Sequence, residues 1–263
     1  MTAYLYKAKM QILVNLTYRF EVFATLLTRY IEVVAVVFLW ECVYKSQDTL
    51  KGMTKEQMIT WIILAAGMSV LYTTGVQNEI RMGVVKGNIA VELLRPCNLL
   101  GLYFSQDMGA FLVKIVTGFV PTVILGGLTF GILAPVSGVS LLLSLVSLMA
   151  GYMIIWLLFG LIGVFTFWAM ELGNMTWGLQ TIISIFSGNL IPLYFFPDSV
   201  QKVLQWLPFQ YTYQTPLALY VGKITGTEGL QQIGVQVLWI VLLTIVLNLL
   251  WKRIRKNILV QGG

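Results

Sequence analysis

The stretch NEIRMGVVKGNIAVELLRP, residues 78–96, is the one polar, charge-mixed segment of its length between two long apolar runs. It carries Glu79, Arg81, Lys86, Glu92 and Arg95, and it stops at Pro96. Each such charge is costly at the centre of a bilayer, so a lipid-facing segment does not hold this many. Most connections in compact proteins are far shorter than the eighteen residues from Glu79 to Pro96. The segment therefore reads as an ordered loop or short helix on a membrane face, with something soluble docked against it.

Composition supports the membrane. Of 263 residues, 58% are hydrophobic and 11% are charged, where a soluble domain has about a quarter charged. The net charge of +6 then speaks to topology through the placement of Lys and Arg, not to nucleic-acid binding. A crossing helix needs about twenty mostly apolar residues. Six runs meet this, at roughly 20–44, 57–76, 103–133, 139–168, 176–195 and 233–251. The expected fold is all-α and integral to the membrane, with six transmembrane helices. An even count puts both termini on one side. No linker divides the chain, so 1–263 reads as a single transmembrane domain. The first run is too long for the apolar core of a signal peptide, and no small-residue cleavage site follows it.

Charge placement says which side is which. The six arginines are Arg19, Arg29, Arg81, Arg95, Arg253 and Arg255. With Lys7, Lys9, Lys86, Lys252 and Lys256 they make one basic face. The opposite loops hold Lys45, Lys51, Lys55, Lys202 and Lys223, diluted by Asp48, Glu56, Asp198 and Glu228. The positive-inside rule places both termini and the 77–101 loop in the cytoplasm. Tryptophans follow the same frame, with Trp40, Trp61, Trp206 and Trp239 at the outer boundary and Trp168, Trp177 and Trp251 at the inner one. Trp156 lies deeper, as a packing residue. Leu5, Ala8, Ile12 and Leu16 share a helical face, which predicts an amphipathic helix along the inner surface before the first span; a frayed cytoplasmic start is the plainer reading.

Few residues can carry chemistry. There is no histidine, and Cys42 and Cys97 fall on opposite sides, so neither a zinc cluster nor a disulfide is expected. Arg29 and Glu32 are three apart inside the first span and can pair. They line a pathway or form an interhelical strut. Asp107 and Lys114 lie two helical turns apart, about 10 Å, so Lys114 reaches another helix or snorkels inward. Pro121 can kink the third span, and Gly127 with Gly131 has a GxxxG spacing suited to close packing. Glu171 is a lone acid in a short inner loop, either a second partner contact or a solvated turn.

Residues 187–192, SGNLIP, break the fifth apolar run. Pro197, Pro208 and Pro216 then punctuate an aromatic stretch too broken to span again. Non-helical backbone at that depth is tolerated only when buried in protein or facing a cavity. Short re-entrant or interfacial helices at the outer leaflet are expected, acting as an exit gate or as a structural cap. No GxxxxGK[ST] phosphate loop is present, so ATP, if used, binds elsewhere.

In order and topology these features resemble the permease subunits of type 2 ATP-binding cassette (ABC) exporters. Ile80-Arg-Met-Gly83, Lys86-Gly87-Asn88-Ile89-Ala90 and Leu93-Leu94-Arg95-Pro96 are similar to that family's coupling-helix segment. Gly188, Asn189, Pro192, Pro197 and Pro208 resemble its outer-leaflet motif. The resemblance implies a half-transporter in a bacterial plasma membrane, with a cytoplasmic coupling helix. Glu79, Arg81, Gly83, Lys86, Gly87, Glu92, Leu93, Leu94, Arg95 and Pro96 would meet a separate P-loop ATPase, which would hold ATP and Mg; no cofactor is expected on this chain. A second permease, identical or related, would complete a pathway lined by Arg29 and Glu32, and the gate residues would close it outside. The sparsely charged, aromatic spans suit an amphipathic or hydrophobic cargo. An ion-coupled transporter or channel would instead need polar rings along its path, and a membrane-embedded enzyme a convergent nucleophile and base.

Overall fold

The computed structural model describes residues 2–17, 19–93, 97–168 and 173–261. Leu94, Arg95, Pro96 and Glu171 lie outside them. In chain order come α1 (Thr2–Thr17), α2 (Arg19–Val43), a hairpin of β1 (Thr49–Leu50) and β2 (Met53–Thr54), α3 (Lys55–Leu71), α4 (Val76–Val85) and α5 (Ile89–Leu93). Then come α6 (Leu99–Lys114), a π-helical turn (Ile115–Phe119), α7 (Val120–Phe130), α8 (Gly138–Phe165), α9 (Gly173–Phe186), α10 (Asp198–Leu204), α11 (Gln210–Tyr220) and α12 (Gly226–Gln261).

Among the described residues, five segments are long and apolar enough to cross a membrane: Phe20–Val43, Lys55–Val85, Leu99–Phe130, Gly138–Phe165 and Gly226–Arg255. The chain is an all-α integral membrane protein. The run at 176–195 departs from expectation. Its helix α9 stops at Phe186 after 14 residues, about 21 Å at 1.5 Å per residue, which falls short of a hydrocarbon core of about 30 Å. The break is at Gly188, whose φ is +85, where the Ser187 carbonyl accepts from Gln214 N at 2.8 Å. The composition stays apolar past the break, so hydropathy overruns it.

Helix α8 is the hub, packed on α4, α11 and α12, while α3 packs on α2, α7 and the π-turn. Gln236 of α12 donates to the carbonyls of Ser147 on α8 and Tyr211 on α11, at 3.0 and 2.7 Å. The two N–H groups of this fully buried amide tie α12 to two other helices. Thr54 caps α3 in a reciprocal capping box with Gln57. The adjacent hairpin turns through Lys51 (φ 48) and Gly52 (φ 72), the two left-handed positions of a two-residue turn. Lys55 pairs with Glu41 at 2.9 Å, tying the start of α3 to the end of α2.

Helix α1 forms as the amphipathic pattern predicts, but its middle docks on protein. The Ala8 backbone lies against Gly109 of α6, where a Cβ would have no room, and Lys7 donates to Gln106 at 3.3 Å. Leu5 and Leu16, at the ends of the same face, stay exposed. Further along the third span, Gly118 packs closely against Val70 and Gly126 against Ile63. Gly131 instead ends α7 with φ +82 and meets nothing, so the GxxxG spacing is a helix terminus and not a contact. The kink expected at Pro121 takes the form of the π-turn just before it, in which Val120 N bonds back to the Ile115 carbonyl. A widened turn accommodates the proline ring and its missing N–H.

Trp206, Trp177 and Trp168 are exposed, as interfacial rings must be. Trp61 is fully buried instead, donating to the Gly188 carbonyl at 2.8 Å. Trp40 is buried against Phe195. Their rings hold the irregular 187–196 segment.

Candidate functional site

The polar segment of 78–96 folds as two helices, α4 and α5, joined through Gly87 at φ +71. Val76, Gln77 and Ile80 are the buried face of α4. They lie on Gly163 of α8, where a Cβ would come within 2.9 Å of Ile80 Cδ1 and 3.0 Å of Gln77 Cα. The opposite face carries Met82, Val85 and Lys86, all exposed, with Arg81 half-buried. Gly83 sits under the Ile89 side chain, 3.1 Å from where its Cβ would be. Of the four charges among the described residues of this segment, two are occupied within the chain. Glu79 accepts from Gln106 at 2.8 Å and Glu92 from the Tyr103 hydroxyl at 2.8 Å. Among the described residues, Arg81 and Lys86 form no ion pair. Leu93 closes α5.

The start of α4 is built by residues that sequence reasoning left idle. Asp107 Oδ1 accepts from Gly75 N at 2.9 Å, and Oδ2 accepts from Val76 N at 3.1 Å and from Trp156 Nε1 at 2.9 Å. A carboxylate on the first N–H groups of a helix satisfies donors that have no intrahelical partner and meets the positive end of the dipole. Lys114, one of two outcomes expected of it, reaches another element: Nζ donates to the Thr73 carbonyl at 2.8 Å. Trp156 thus combines packing with a hydrogen bond. The signal in the sequence was a lone acid in an apolar span, which needs donors from somewhere.

Arg29 and Glu32 do pair, at 2.6 Å between Nη1 and Oε2. They line a cavity of about 280 Å³ with Ser69, Tyr72, Thr73 and Gln77. Its other wall is Gln180 and Ser184 of α9, Tyr213 of α11 and Asn189. The pair is partly exposed, with side chains at 29% and 39%, so its Coulomb attraction is screened. Its value lies in presenting both signs of charge to a space whose other walls mix hydroxyls and amides with Ile155, Phe159, Ile183 and Leu190. A second cavity, of about 360 Å³, adjoins it across Arg29 and Thr73 and contains Glu21, Thr25 and Lys114.

Of the outer-segment residues, Gly188 and Asn189 sit at the turn against α11, and Pro192 precedes a 3-10 turn, Leu193–Phe195. A Cβ on Gly188 would meet Gln214 Oε1 at 2.5 Å, and Asn189 N bonds Ser187 Oγ at 3.2 Å. Pro197 is the N-cap of α10, and buried Pro208 precedes α11. These two punctuate the chain apart from the Gly188 turn. Helix α11 lies inside the protein. Residues 210–219 are all buried, and Pro216 inside it removes the N–H that would meet the Thr212 carbonyl. Tyr72 Oη lies 3.1 Å from that carbonyl and 2.9 Å from that of Leu148; its one proton serves either. Lys223 donates to the Gly52 carbonyl and lies over the Tyr194 ring. Burial lowers the Lys223 pKa. Burial also pushes the Tyr194 phenol up to about 12, against the opposing pull of its hydrogen bond with Gln214, so Tyr194 is neutral at physiological pH.

No curated protein and no solved structure matches the chain. The sequence model of one family, described as ABC-2 family transporter protein, matches residues 30–257. That match covers the membrane-spanning segments from Tyr30 onward, both helices of the polar segment and the broken segment before the last span, and leaves out α1 and Arg29. With an all-α integral membrane fold and this match over most of its length, the chain belongs to the ABC-2 family of transporter proteins.

Proposed function

We propose that the chain is the permease subunit of an ATP-driven exporter, a single transmembrane domain that works as a dimer with separate cytoplasmic ATPase subunits. One observation carries the reading: the chain walls a polar cavity with Arg29, Glu32 and Asn189, and the same backbone that floors it, Thr73 to Gln77, runs directly into α4. Family members of this kind generally work with ATP-binding partners, and α4 and α5 present Arg81 and Lys86 beside the exposed side chains of Met82, Val85 and Val91, a surface suited to a socket. Arg29 and Glu32 belong to the pathway in this reading. Gly188, Asn189 and Pro192 belong to its outer gate. The exposed apolar faces of α2 and α9, including Phe23, Ile31, Trp177 and Ile182, suit a second permease and lipid. An amphipathic or hydrophobic compound suits the walls.

The test is purification of the tagged chain from its native membrane in mild detergent, with mass spectrometry of what accompanies it, followed by reconstitution with an amphipathic fluorescent dye. A P-loop ATPase and ATP-dependent dye movement are expected. Dye flux that persists with no ATPase, after crosslinking, would instead favour an ion-coupled carrier. Orientation is checked separately. In a chain with Cys42→Ser and Cys97→Ser, an impermeant thiol reagent should label Asp48→Cys from outside and Asn88→Cys from the cytoplasm only. The opposite pattern overturns the placement of α4 and α5.

A further inference from the structure

We propose that the turn Tyr72–Gly75 is the inner gate of the polar cavity, and that Asp107 and Lys114 of the third span latch it. This rests on the reading above for what moves α4, and on geometry alone for the latch. Helix α3 ends at Leu71 and α4 begins at Val76. A continuous helix would carry α4 as a rod on the second span. The break hands it to other elements.

Three backbone groups of this short stretch are held by side chains of α6. Asp107 takes the N–H groups of Gly75 and Val76, and Lys114 takes the Thr73 carbonyl. Gly75 comes close enough that a Cβ would sit 3.1 Å from Asp107 Oδ1. Trp156 of α8 fixes the carboxylate from behind. The turn's other side faces the cavity: Tyr72, Thr73, Thr74 and Gln77 are part of its lining. Thr74 and Gln77 stiffen that face by bonding each other, with Gln77 Nε2 on the Thr74 carbonyl at 3.1 Å. Any displacement of α4 relative to α6 therefore breaks the latch and moves the cavity floor in one event. Side-chain latches suit such a switch because they reform without refolding a helix.

The experiment uses Ser69→Cys, on the cavity wall above the turn, in the chain carrying Cys42→Ser and Cys97→Ser. An impermeant thiol reagent is applied to the cytoplasmic face of inverted vesicles. Asp107→Asn keeps the shape but loses the charge and one acceptor. A hydrogen bond to a charged group is worth a factor of about ten or more, so labelling should speed up by about tenfold. ATP with vanadate should change the labelling rate of the parent chain and leave that of Asp107→Asn unchanged. Loss of folding stability alone would lower yield without removing the ATP response. Equal labelling rates in parent and Asp107→Asn overturn the latch. If Asp107→Asn does not accumulate, Lys114→Met is judged by the same comparison. A parent chain that carries no ATPase counts against the exporter reading only, since the labelling rates without ATP still decide the latch.

Discussion

Gly151→Val should cost the protein its folded state, lowering stability in detergent by about 3 kcal/mol or more, the upper range for overpacking a core. A Cβ on Gly151 would stand 2.6 Å from the Thr212 carbonyl oxygen and 2.7 Å from the Tyr72 hydroxyl. Neither can retreat easily. Thr212 lies in the wholly buried α11, and Tyr72 is the hydroxyl that serves the carbonyl left open by Pro216. Displacing them strands buried polar groups as well as compressing the core, and each penalty adds to the other. Gly234→Val on α12 is the control, because nothing lies within 4 Å of its position. Thermal unfolding of the purified chains checks the pair. A Gly151→Val protein as stable as the control would mean that α11 is not pinned to α8 as described.

The second large effect concerns the surface of α4. Arg81→Glu should reduce recovery of the ATPase with the tagged chain by tenfold or more, while membrane insertion is unchanged. Like-charge juxtaposition at an interface costs several kcal/mol, and 1.4 kcal/mol is already tenfold in affinity. Glu92→Gln serves as the contrast. Its carboxylate is engaged by Tyr103 within the chain, so the amide should leave recovery within about twofold, since an amide oxygen still accepts that bond. Quantitative immunoblotting of the co-purified ATPase checks both. Unchanged recovery in Arg81→Glu would remove α4 from the docking surface.

Much of this architecture is legible in the chain. The long apolar runs and the Arg29–Glu32 pair depend on spacing within one element, which period and hydropathy report, and the break at Gly188 is marked by its Ser-Gly-Asn and Pro residues, not by hydropathy. What depends on contacts between distant elements is not. Asp107 and Gly75 are 32 positions apart, and nothing local to either announces the other. The stretch QYTYQTP in α11 reads as interfacial because it is polar and aromatic, yet its polar groups are satisfied inside: Gln214 accepts from Leu193 N at 2.9 Å, and Thr212 Oγ1 donates to the Phe209 carbonyl at 2.6 Å. Hydropathy counts polar atoms and cannot know that partners are waiting for them. The charges of 78–96 likewise read as one outward set, whereas the fold turns Glu79 and Glu92 inward to α6 and leaves Arg81 and Lys86 without an ion pair among the described residues.

The π-turn at Ile115–Phe119 has a further meaning for the third span. One additional residue in a helical turn advances everything beyond it by about 100° of azimuth. The two halves of this span are therefore set out of phase. Below the turn, Asp107 points at Gly75; above it, Gly126 points at Ile63. With a regular helix, one of those two alignments would be lost. The extra residue acts as a fixed phase shifter, letting a single rod address the start of α4 at one end and the second span at the other.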